Sequence, residues 1–485
     1  MVFIDGTVVN VALPALQRSL GASLADVQWV VVSYALFLAT LLLAGGAAGD
    51  RFGRRRVFAC GVTVFGAASV WCGLAGSVLE LIVARGVQGI GGALLVPGSL
   101  AIISASFEER DRGKAIGTWS AATSLTTALG PVLGGWLIDH ATWRAAFLMN
   151  VPLAIAVLAL TWRHVPESRS GDARGPIDWP GASLVTLGLG AAVFALIEVP
   201  TWGWRDARIL IAFGVAAAAL ASFFAVELRH PAPMIPLRLF RSRNFSGANA
   251  LTLLVYGALG GALFFVPLNL IQVQHYSSTA AGAALLPMAV LLGSLSRWSG
   301  GLVERRGARL PLAVGPALAA CGFALLAVPG VDAGYWSGFF PGITVLGLGL
   351  AITVAPLTTT VMNSVATGNA GAASGINNAA SRIAGLLAVA AFGAIMAPIF
   401  DRNLDARLRS ATIAPAAISA IQAQRGKLAA IDVPANLDAA GRTAAERAIG
   451  QAFVTGFRWI MAASALLAVG SAIIGWRVIR AGDRT

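Results

Sequence analysis

The sequence is organised around residues 81–97, LIVARGVQGIGGALLVP. This stretch is apolar enough to cross a lipid bilayer, yet it contains one arginine, Arg85. A guanidinium cannot be deprotonated in a protein, so burial leaves it charged. An ionisable side chain within a membrane span is costly and faces the protein interior. The nearby glycines let neighbouring helices pack close to that charge. Arg85 therefore needs a partner elsewhere in the chain, and Asp5 is the best candidate.

The composition indicates a membrane protein. Of the 485 residues, 57% are hydrophobic and only 12% are charged, whereas a soluble domain has about 25% charged residues. Mean hydropathy is +0.76. Apolar runs of about 20 residues recur along the chain, which predicts a polytopic α-helical protein and not a β-barrel. The net charge of +13 is carried largely by short loops, as expected for topogenic charge, so we expect no nucleic-acid partner.

The residues that usually hold metals or nucleotides are scattered. Cys60, Cys72 and Cys321 lie in apolar runs, which is not the pattern of a disulfide framework. The four histidines form no cluster, and the sequence contains no G-x-x-x-x-G-K-[ST] motif. We therefore expect no metal and no cofactor, and we expect a gradient to drive any transport.

The apolar runs predict fourteen membrane spans. Their approximate bounds are 1–18, 27–48, 57–76, 79–103, 114–138, 145–163, 180–199, 208–228, 247–272, 280–302, 310–329, 337–361, 372–399 and 453–478. Most connections are short. One connection, residues 401–450, is long, and for it we predict short amphipathic helices or partial disorder.

The loop charges predict the orientation. With a cytosolic N-terminus, arginine-rich inner loops lie near residues 51–56, 110–114, 163–174, 229–243, 305–309 and 477–484. The short outer loops contain only Arg144, Arg205 and Arg208. Short cytoplasmic loops carry an excess of Lys and Arg. Both termini are therefore expected in the cytosol, with the protein in the inner membrane.

An internal repeat predicts the domain organisation. Residues 50–55, DRFGRR, follow the second span, and residues 304–309, ERRGAR, follow the tenth. Acid, Arg, Gly and Arg recur at the same spacing on the same predicted face, as a parallel repeat of two bundles requires. We predict an N-terminal six-helix bundle over 1–163, two inserted helices over 180–228, and a C-terminal six-helix bundle over 245–485 that includes the outer loop 401–450.

Two further motifs shape the helices. Residues 45–56, GGAAGDRFGRRR, end the second span with a tight loop whose charges can pair with neighbouring helix ends. Residues 128–135, ALGPVLGG, lie in the fifth span, where Pro131 bends the helix and Gly130 and Gly134 form a small packing face.

Taken together, these motifs resemble the major facilitator superfamily. The loop after the second span is similar to its motif A, the Arg85 stretch to its motif B, and residues 128–135 to its antiporter motif C. Residues 4–14, IDGTVVNVALP, and 143–152, WRAAFLMNVP, resemble the fourteen-span drug:proton antiporter branch. The resemblance covers nearly the whole chain and implies an all-α polytopic membrane protein with two six-helix bundles plus two extra helices.

The resemblance also implies roles for individual residues. Asp5 would take up and release the coupling proton, and Arg85 would balance its charge. The inner gate would be latched by the first motif A copy, with Gly49, Asp50, Arg51, Gly53 and Arg54. The second copy holds Glu304, Arg305, Gly307 and Arg309 but has Arg306 and Ala308 where the first has Phe52 and Arg54, which implies a weaker latch. The antiporter motif would bend and pack helices through Gly130, Pro131, Gly134 and Gly135.

Several structural alternatives stay open at this stage. Asp5 is also consistent with an acid at a helix end, and Arg85 with a purely structural anchor. Tyr34, Gln88, Asn377 and Asn378 fit a cavity lining and fit helix packing equally well. We interpret Glu198 as an interfacial acid, and we expect Arg297 and Arg382 to lie near inner helix ends and to snorkel toward the surface.

The predicted function is proton-coupled export of amphipathic or cationic drug-like compounds. A carboxylate in a span can lose its charge by taking a proton, whereas Arg85 cannot. The alternative within the class is export of an endogenous metabolite. A passive channel would favour a ring of repeated polar groups, and an enzyme would need a catalytic constellation in the spans. The expected partners are a small-molecule substrate, protons and the bilayer; we expect a monomer and leave periplasmic partners open.

The start of the chain gives a last expectation. A helix from Met1 to about Leu16 is roughly 24 Å long, shorter than the ~30 Å hydrocarbon core. With Met1 at the inner surface, Asp5 lies about 6 Å deep and roughly 15 Å from the level of Arg85. We therefore expect the first helix to begin about ten residues upstream of Met1, which would carry Asp5 to mid-membrane.

Overall fold

The structure is a computed structural model, and it describes residues 1–169, 177–230, 233–366, 369–411 and 413–480. The side chains of Glu109, Arg112 and Glu304 are not described, and the predicted arginine loops 163–174 and 477–484 lie partly outside the described residues. Within this part of the chain, thirteen helices are long and apolar enough to cross a membrane. A further long helix, α1 (Val2–Leu20), lies beside them. The predicted all-α polytopic fold is confirmed.

The first bundle contains the six predicted N-terminal spans. Its helices are α1, α2 (Leu24–Phe52), α3 (Arg54–Leu74), α4 (Val78–Ser106), α5 (Glu109–His140), and the short α6 (Ala145–Leu148) followed by α7 (Asn150–His164). Below, the outer end is the end at which α1 stops and α2 starts. The inner end is the end at which α2 stops.

The second bundle repeats this arrangement, and its last two helices are longer than their counterparts α5 and α7. Its helices are α10 (Arg243–Leu268), α11 (Ser278–Ala284) with α12 (Leu286–Arg306), α13 (Arg309–Leu326), α14 (Phe340–Asn363), α15 (Ala370–Ser410) and α17 (Ala439–Arg477). Short π-helical turns at 269–273 and 335–339 extend α10 and α14 toward the outer end.

Glycines allow the close contacts between α2, α3 and α4. A Cβ at Gly45 would lie 2.2 Å from the carbonyl oxygen of Ala93, and one at Gly91 would lie 2.6 Å from the backbone nitrogen of Phe65. Neither position can therefore carry a larger side chain without moving a backbone. This packing holds the middle of α4 in the interior of the bundle, and Arg85, two turns nearer the outer end, is buried there as well.

The two inserted helices, α8 (Trp179–Trp202) and α9 (Ala207–Glu227), pair with each other. α8 also packs against α2 of the first bundle and α15 of the second. Gly188 of α8 lies against Leu220 of α9, and Gly190 lies against Leu36 of α2, so α8 is close to both helices. The pair thus lies at the side of the seam between the bundles.

The region 401–450 is more helical than predicted. α15 continues to Ser410 instead of ending near residue 399, and α17 begins at Ala439 instead of near 453. A helix α16 (Pro415–Ala423) and a 3₁₀ turn over 425–430 lie between them. These extensions keep an apolar stripe that is buried in the outer core, with Leu404, Leu408, Ala445 and Ile449 among its members. The hydropathy of the whole segment is too low for a span, so the sequence prediction ended both helices early.

The bundles meet at their outer ends. Asp139, at the end of α5, accepts hydrogen bonds from the backbone nitrogens of Ser278 at 3.0 Å and Thr279 at 2.8 Å, where α11 begins. Gln272 donates to Gln17 at 2.8 Å. Toward the inner end, seven of the eight residues 120–127 of α5 are exposed, so the helix is uncovered on nearly all sides. The structure is closed at the outer end and open at the inner end.

Candidate functional site

Asp5 and Arg85 form a buried ion pair. Asp5 is 0% exposed and Arg85 is 1% exposed. An Nη1 of Arg85 lies 2.6 Å from Oδ2 of Asp5. α1 supplies the carboxylate and α4 the guanidinium. Because both groups are buried, removing either one would leave the other as an uncompensated buried charge.

The guanidinium has further partners inside the first bundle. Its Nε donates to the carbonyl oxygen of Val30 at 3.1 Å, and Nη1 donates to Oε1 of Gln88 at 2.6 Å. The charged group also lies 4.1 Å from the ring centre of Tyr34, which is a cation–π distance. Arg85 therefore keeps partners on α2 and α4 even when the carboxylate is neutral.

The carboxylate is held by two amides as well. Oδ1 of Asp5 accepts from Nε2 of Gln88 at 2.9 Å and from Nδ2 of Asn150 at 3.0 Å. The same Gln88 nitrogen donates to the Ser69 hydroxyl at 2.9 Å. Five helices of the first bundle, α1 to α4 and α7, thus meet at one polar network. Gln88 is 0% exposed, so it binds the ion pair and does not line a cavity.

The structure places Asp5 beside Arg85, as expected for a carboxylate at mid-membrane. A Met1 at the inner surface would have given a separation of about 15 Å between the two charged groups. Instead, the Val2 side chain lies 3.6 Å from the Cβ position of Gly92, near the middle of α4, and the Tyr34 hydroxyl donates to the Val2 carbonyl oxygen at 3.5 Å. Met1 is therefore level with the middle of the bundle, and Asp5 reaches Arg85 directly.

The antiporter motif packs around this pair. A Cβ at Gly130 would lie 2.0 Å from Oγ1 of Thr7, and one at Gly134 would lie 2.6 Å from Cγ1 of Val8. A Cβ at Gly135 would lie 2.3 Å from the carbonyl oxygen of Ser278. Pro131 is in α5 at the same level, where its carbonyl oxygen faces Gly282. The motif thus contacts the α1 turn next to Asp5 on one side and the second bundle on the other.

The first motif A loop is tied down at the inner end. Arg54 and Asp50 form an ion pair at 2.8 Å, and Nη1 of Arg54 donates to the carbonyl oxygen of Ala101 at 3.4 Å. Gly53 has a φ of 111°, a conformation that disfavours other residues, and it joins α2 to α3. Gly49 accepts the Gly53 backbone hydrogen bond at 3.1 Å. Arg51 lies on the exposed side of this loop, with its guanidinium 5.7 Å from the ring centre of Phe52.

Sequence reasoning missed Glu167 at this loop. Its carboxylate accepts from the backbone nitrogens of Arg55 at 3.0 Å and Arg56 at 3.3 Å, at the start of α3. An acid at a helix N-terminus is favourable, because it satisfies free N–H groups and the helix dipole. This contact could not be predicted from the sequence, because 111 residues separate Arg56 from Glu167.

The second motif A loop is attached differently. Nε of Arg309 donates to the carbonyl oxygen of Trp476 at 2.7 Å, and the guanidinium lies 4.1 Å from the Trp476 ring centre. Gly307 has a φ of 74°, and Arg305 is exposed. The Glu304 side chain lies outside the described residues. This loop is therefore fastened to the end of α17.

The remaining cavity candidates have different surroundings. Tyr34 is 5% exposed and stacks on Arg85. Asn377 donates to Thr252 at 2.7 Å and to Asn249 at 3.3 Å, so it joins α15 to α10. Asn378 is exposed, on the part of α15 that turns toward the opening.

Arg382 lies deeper in its helix than the sequence expectation of a residue near the inner end assumed. It lies twelve residues into α15, or ~18 Å from the start of the helix, which is farther than the side chain reaches. Its Nε is buried and has no hydrogen-bond partner among the described residues. Arg297, the other residue in that expectation, is exposed on α12.

Comparison with known proteins agrees with this architecture. Residues 1–389 match the family model of the Major Facilitator Superfamily. The chain is 36% identical to the multidrug resistance protein Stp of Mycobacterium tuberculosis over 86% of this chain and 77% of Stp. It is 36% identical to the tetracenomycin C resistance and export protein of Streptomyces glaucescens, over 82% and 74% of the two chains. It is 31% identical to the drug efflux pump JefA of M. tuberculosis, over 98% and 95%.

Solved structures share the fold at low identity. A bacterial homologue of the human lysosomal transporter Spinster, in an inward-facing and unoccupied conformation, matches with a TM-score of 0.67 and 18% identity over 98% of this chain and 93% of that chain. A D-xylose–proton symporter matches with a TM-score of 0.62 and 15% identity over 100% and 96%. With its family match, its two bundles and its relatives, the chain belongs to the Major Facilitator Superfamily and is a multi-pass membrane transporter, not an enzyme.

Proposed function

We propose that this transporter is a proton-coupled antiporter that exports amphipathic, drug-like compounds, cationic ones included, across the inner membrane. The names of its relatives, which include multidrug resistance and antibiotic export proteins, support the substrate class. The observation that carries the coupling is the buried pair of Asp5 and Arg85. One member of this pair can be neutralised by a proton and the other cannot.

The pair offers a two-state device. With Asp5 ionised, its carboxylate binds Arg85, Gln88 and Asn150 and holds α1 against α4 and α7. A proton on Asp5 removes the charge that binds the guanidinium, while Arg85 keeps Val30, Gln88 and the Tyr34 ring. α1 is then freer to move relative to α4. The inner-open conformation with the ion pair formed corresponds to a transporter that has released its proton and awaits substrate.

The antiporter motif is well placed to pass this change to the second bundle. Gly130 and Gly134 contact the α1 turn beside Asp5, and Gly135 contacts the start of α11. A shift of α1 therefore reaches the outer contact between the bundles through α5. Proton binding and outer closure then influence each other, as linkage requires.

A substrate does not touch Asp5 in this conformation, because the carboxylate is 0% exposed and all its contacts are internal. Competition between a cationic substrate and a proton at one carboxylate is therefore not the mechanism that this state supports. Coupling instead runs through the two conformations, each of which favours one ligand.

The proposal extends to orientation and assembly. The arginine-rich loops support an orientation with both termini in the cytosol and the inner opening toward the cytosol. The chain works as a monomer, takes its energy from the proton gradient and needs no cofactor.

The test is transport in proteoliposomes with an imposed pH gradient and the cationic dye ethidium. The Asp5→Asn variant cannot titrate, so we expect proton-driven accumulation to fall at least roughly tenfold while downhill exchange of dye continues. Glu446→Gln, which removes an exposed acid in the outer part of α17, is the matched control and should transport normally. If Asp5→Asn still accumulates dye against its gradient, the coupling acid lies elsewhere, with Glu198 the next candidate.

A further inference from the structure

Arg382 has a charge that the described part of the protein does not balance. Its Nε is buried without a partner, and the part of the chain that the structure describes contributes no carboxylate to it. The acid nearest the centre, Asp5, is already committed to Arg85 at 2.6 Å. An unpaired guanidinium at this depth is costly, because it stays charged.

The position of Arg382 on α15 shows what it faces. Gly375 contacts Leu43 of α2, and Gly385 contacts Gly260 of α10. At 3.6 residues per turn, Asn378 and Arg382 lie between these two contacts on the helix surface. Asn378, one turn closer to the inner end, is exposed. This face of α15 therefore looks into the space between the bundles that opens at the inner end.

Arg382 is also close to the coupling pair. The helix that carries Arg382, α15, packs against α2, and α2 carries Tyr34, whose ring centre lies 4.1 Å from the guanidinium of Arg85. Both arginines therefore lie on helices that pack against α2. A ligand bound at Arg382 would contact the same helix, α2, that supports the proton site.

We propose that Arg382 recognises a carboxylate, or a similar anionic group, on the transported compound. In the inner-open state, water in the opening can solvate the outer nitrogens of the guanidinium. When the inner end closes, that water is lost, and the charge then needs a partner in a less polar setting. A substrate carboxylate provides one, with the two-pronged geometry that a guanidinium favours.

This inference rests on the proposed export function and narrows its substrates. The compounds bound best are amphipathic and carry an anionic group, either alone or beside a cationic one. A zwitterion with a flat apolar body satisfies both the apolar helices and Arg382. A compound with the same body and no anionic group leaves the arginine unpaired.

Two dyes that differ at this one group provide the test. Rhodamine 110 carries a free carboxylate, and rhodamine 123 is its methyl ester. Binding to the purified full-length protein in detergent is measured by fluorescence anisotropy without a pH gradient, so proton coupling does not enter. We expect the acid to bind about tenfold tighter than the ester, the scale of one charge-assisted hydrogen bond. In Arg382→Gln this ratio should fall to about one, and Arg382→Lys should retain part of it.

The control is Arg297→Gln, which removes an exposed arginine from α12 and should leave the ratio unchanged. Three results would overturn the proposal: a wild-type protein that binds both dyes equally or prefers the ester, a wild-type protein that binds neither, and an Arg382→Gln variant that keeps the preference. Loss of proton-driven ethidium transport in the wild type would instead count against the export function, which this binding assay does not use.

Discussion

Each bundle holds an arginine within a long helix, and the two arginines have opposite surroundings: Arg85 is buried, whereas Arg382 is partly exposed with a buried Nε. In the first bundle, Arg85 contacts a carboxylate, an amide, a backbone carbonyl and two aromatic rings. In the second, the Nε of Arg382 is buried and has no hydrogen-bond partner among the described residues. Both lie well inside the fold. The paired arginine serves the protein's own charge balance, whereas the unpaired one is available to a ligand.

The comparison separates the two tasks of an antiporter. A proton site needs a titratable group whose neutral and charged forms are both tolerated, and the amides of Gln88 and Asn150 provide that around Asp5. A substrate site needs an interaction that is incomplete until the substrate arrives. The first bundle therefore contains the proton site, and the second is suited to bind the substrate.

The largest expected effect is on stability. Arg85→Gln leaves the Asp5 carboxylate buried and unpaired, so we expect the free energy of unfolding to fall by about 3–5 kcal/mol. Arg382→Gln removes no hydrogen bond and should change it by less than about 1 kcal/mol. Denaturant titration in mixed micelles measures both.

The double variant Asp5→Asn with Arg85→Gln sharpens this contrast. It removes both charges, so it should be more stable than Arg85→Gln alone. If Arg382→Gln lowered the free energy of unfolding as much as Arg85→Gln does, Arg382 would be a structural residue like Arg85.

A smaller effect is expected where the bundles touch. In Gly135→Ala the new Cβ would lie 2.3 Å from the Ser278 carbonyl oxygen, and overpacking of this kind costs about 1–3 kcal/mol. The closed outer end should become roughly 5- to 150-fold less favourable. Distances between spin labels on the outer ends of α5 and α11 report that population.

Gly117→Ala is the matched control for the same helix. No atom lies within 4 Å of a Cβ at Gly117, and alanine favours a helix by about 0.5–1 kcal/mol over glycine. This variant should keep the wild-type distances. A Gly135→Ala protein with an unchanged distance distribution would show that the contact between α5 and α11 yields easily.

The smallest effect is expected from labelling the two motif A loops. Phe52→Cys and Arg306→Cys replace exposed residues, one in each bundle, and should leave transport intact. In a protein whose native cysteines are replaced by serine, an impermeant thiol reagent should reach both from the cytosol. It should reach Ala423→Cys in the outer segment from the other side. Labelling of the two loops from opposite sides would contradict the parallel repeat.

The membrane-spanning helices were predictable because each contains an apolar run of about span length. The prediction failed at residues 401–450, where α15 and α17 continue as amphipathic helices outside the apolar window. Leu404 and Leu408 are spaced one turn apart and are buried, so the helical period was present in the sequence. Hydropathy averaged over the segment hid it.

The ion pair was predictable in kind but not in geometry. Charge balance alone pointed from Arg85 to Asp5. Chain length gave a depth for Asp5 only for an assumed position of Met1, because it cannot place the start of α1 relative to α4. Asn150 was the detectable omission, because it is an amide within an apolar run. Ser69 and Glu167 gave no such signal, since their roles depend on contacts between distant segments.

The length of α15 has a practical consequence for following the transport cycle. The helix spans 41 residues, from the inner opening to the outer segment, or roughly 60 Å. Because the helix is long, a small tilt moves its end a long way: a tilt of about ten degrees would displace the far end of a rod of that length by roughly 10 Å. A fluorophore on the exposed Arg409 position at this tip would convert small rearrangements around Arg382 into a distance change that single-molecule energy transfer can read.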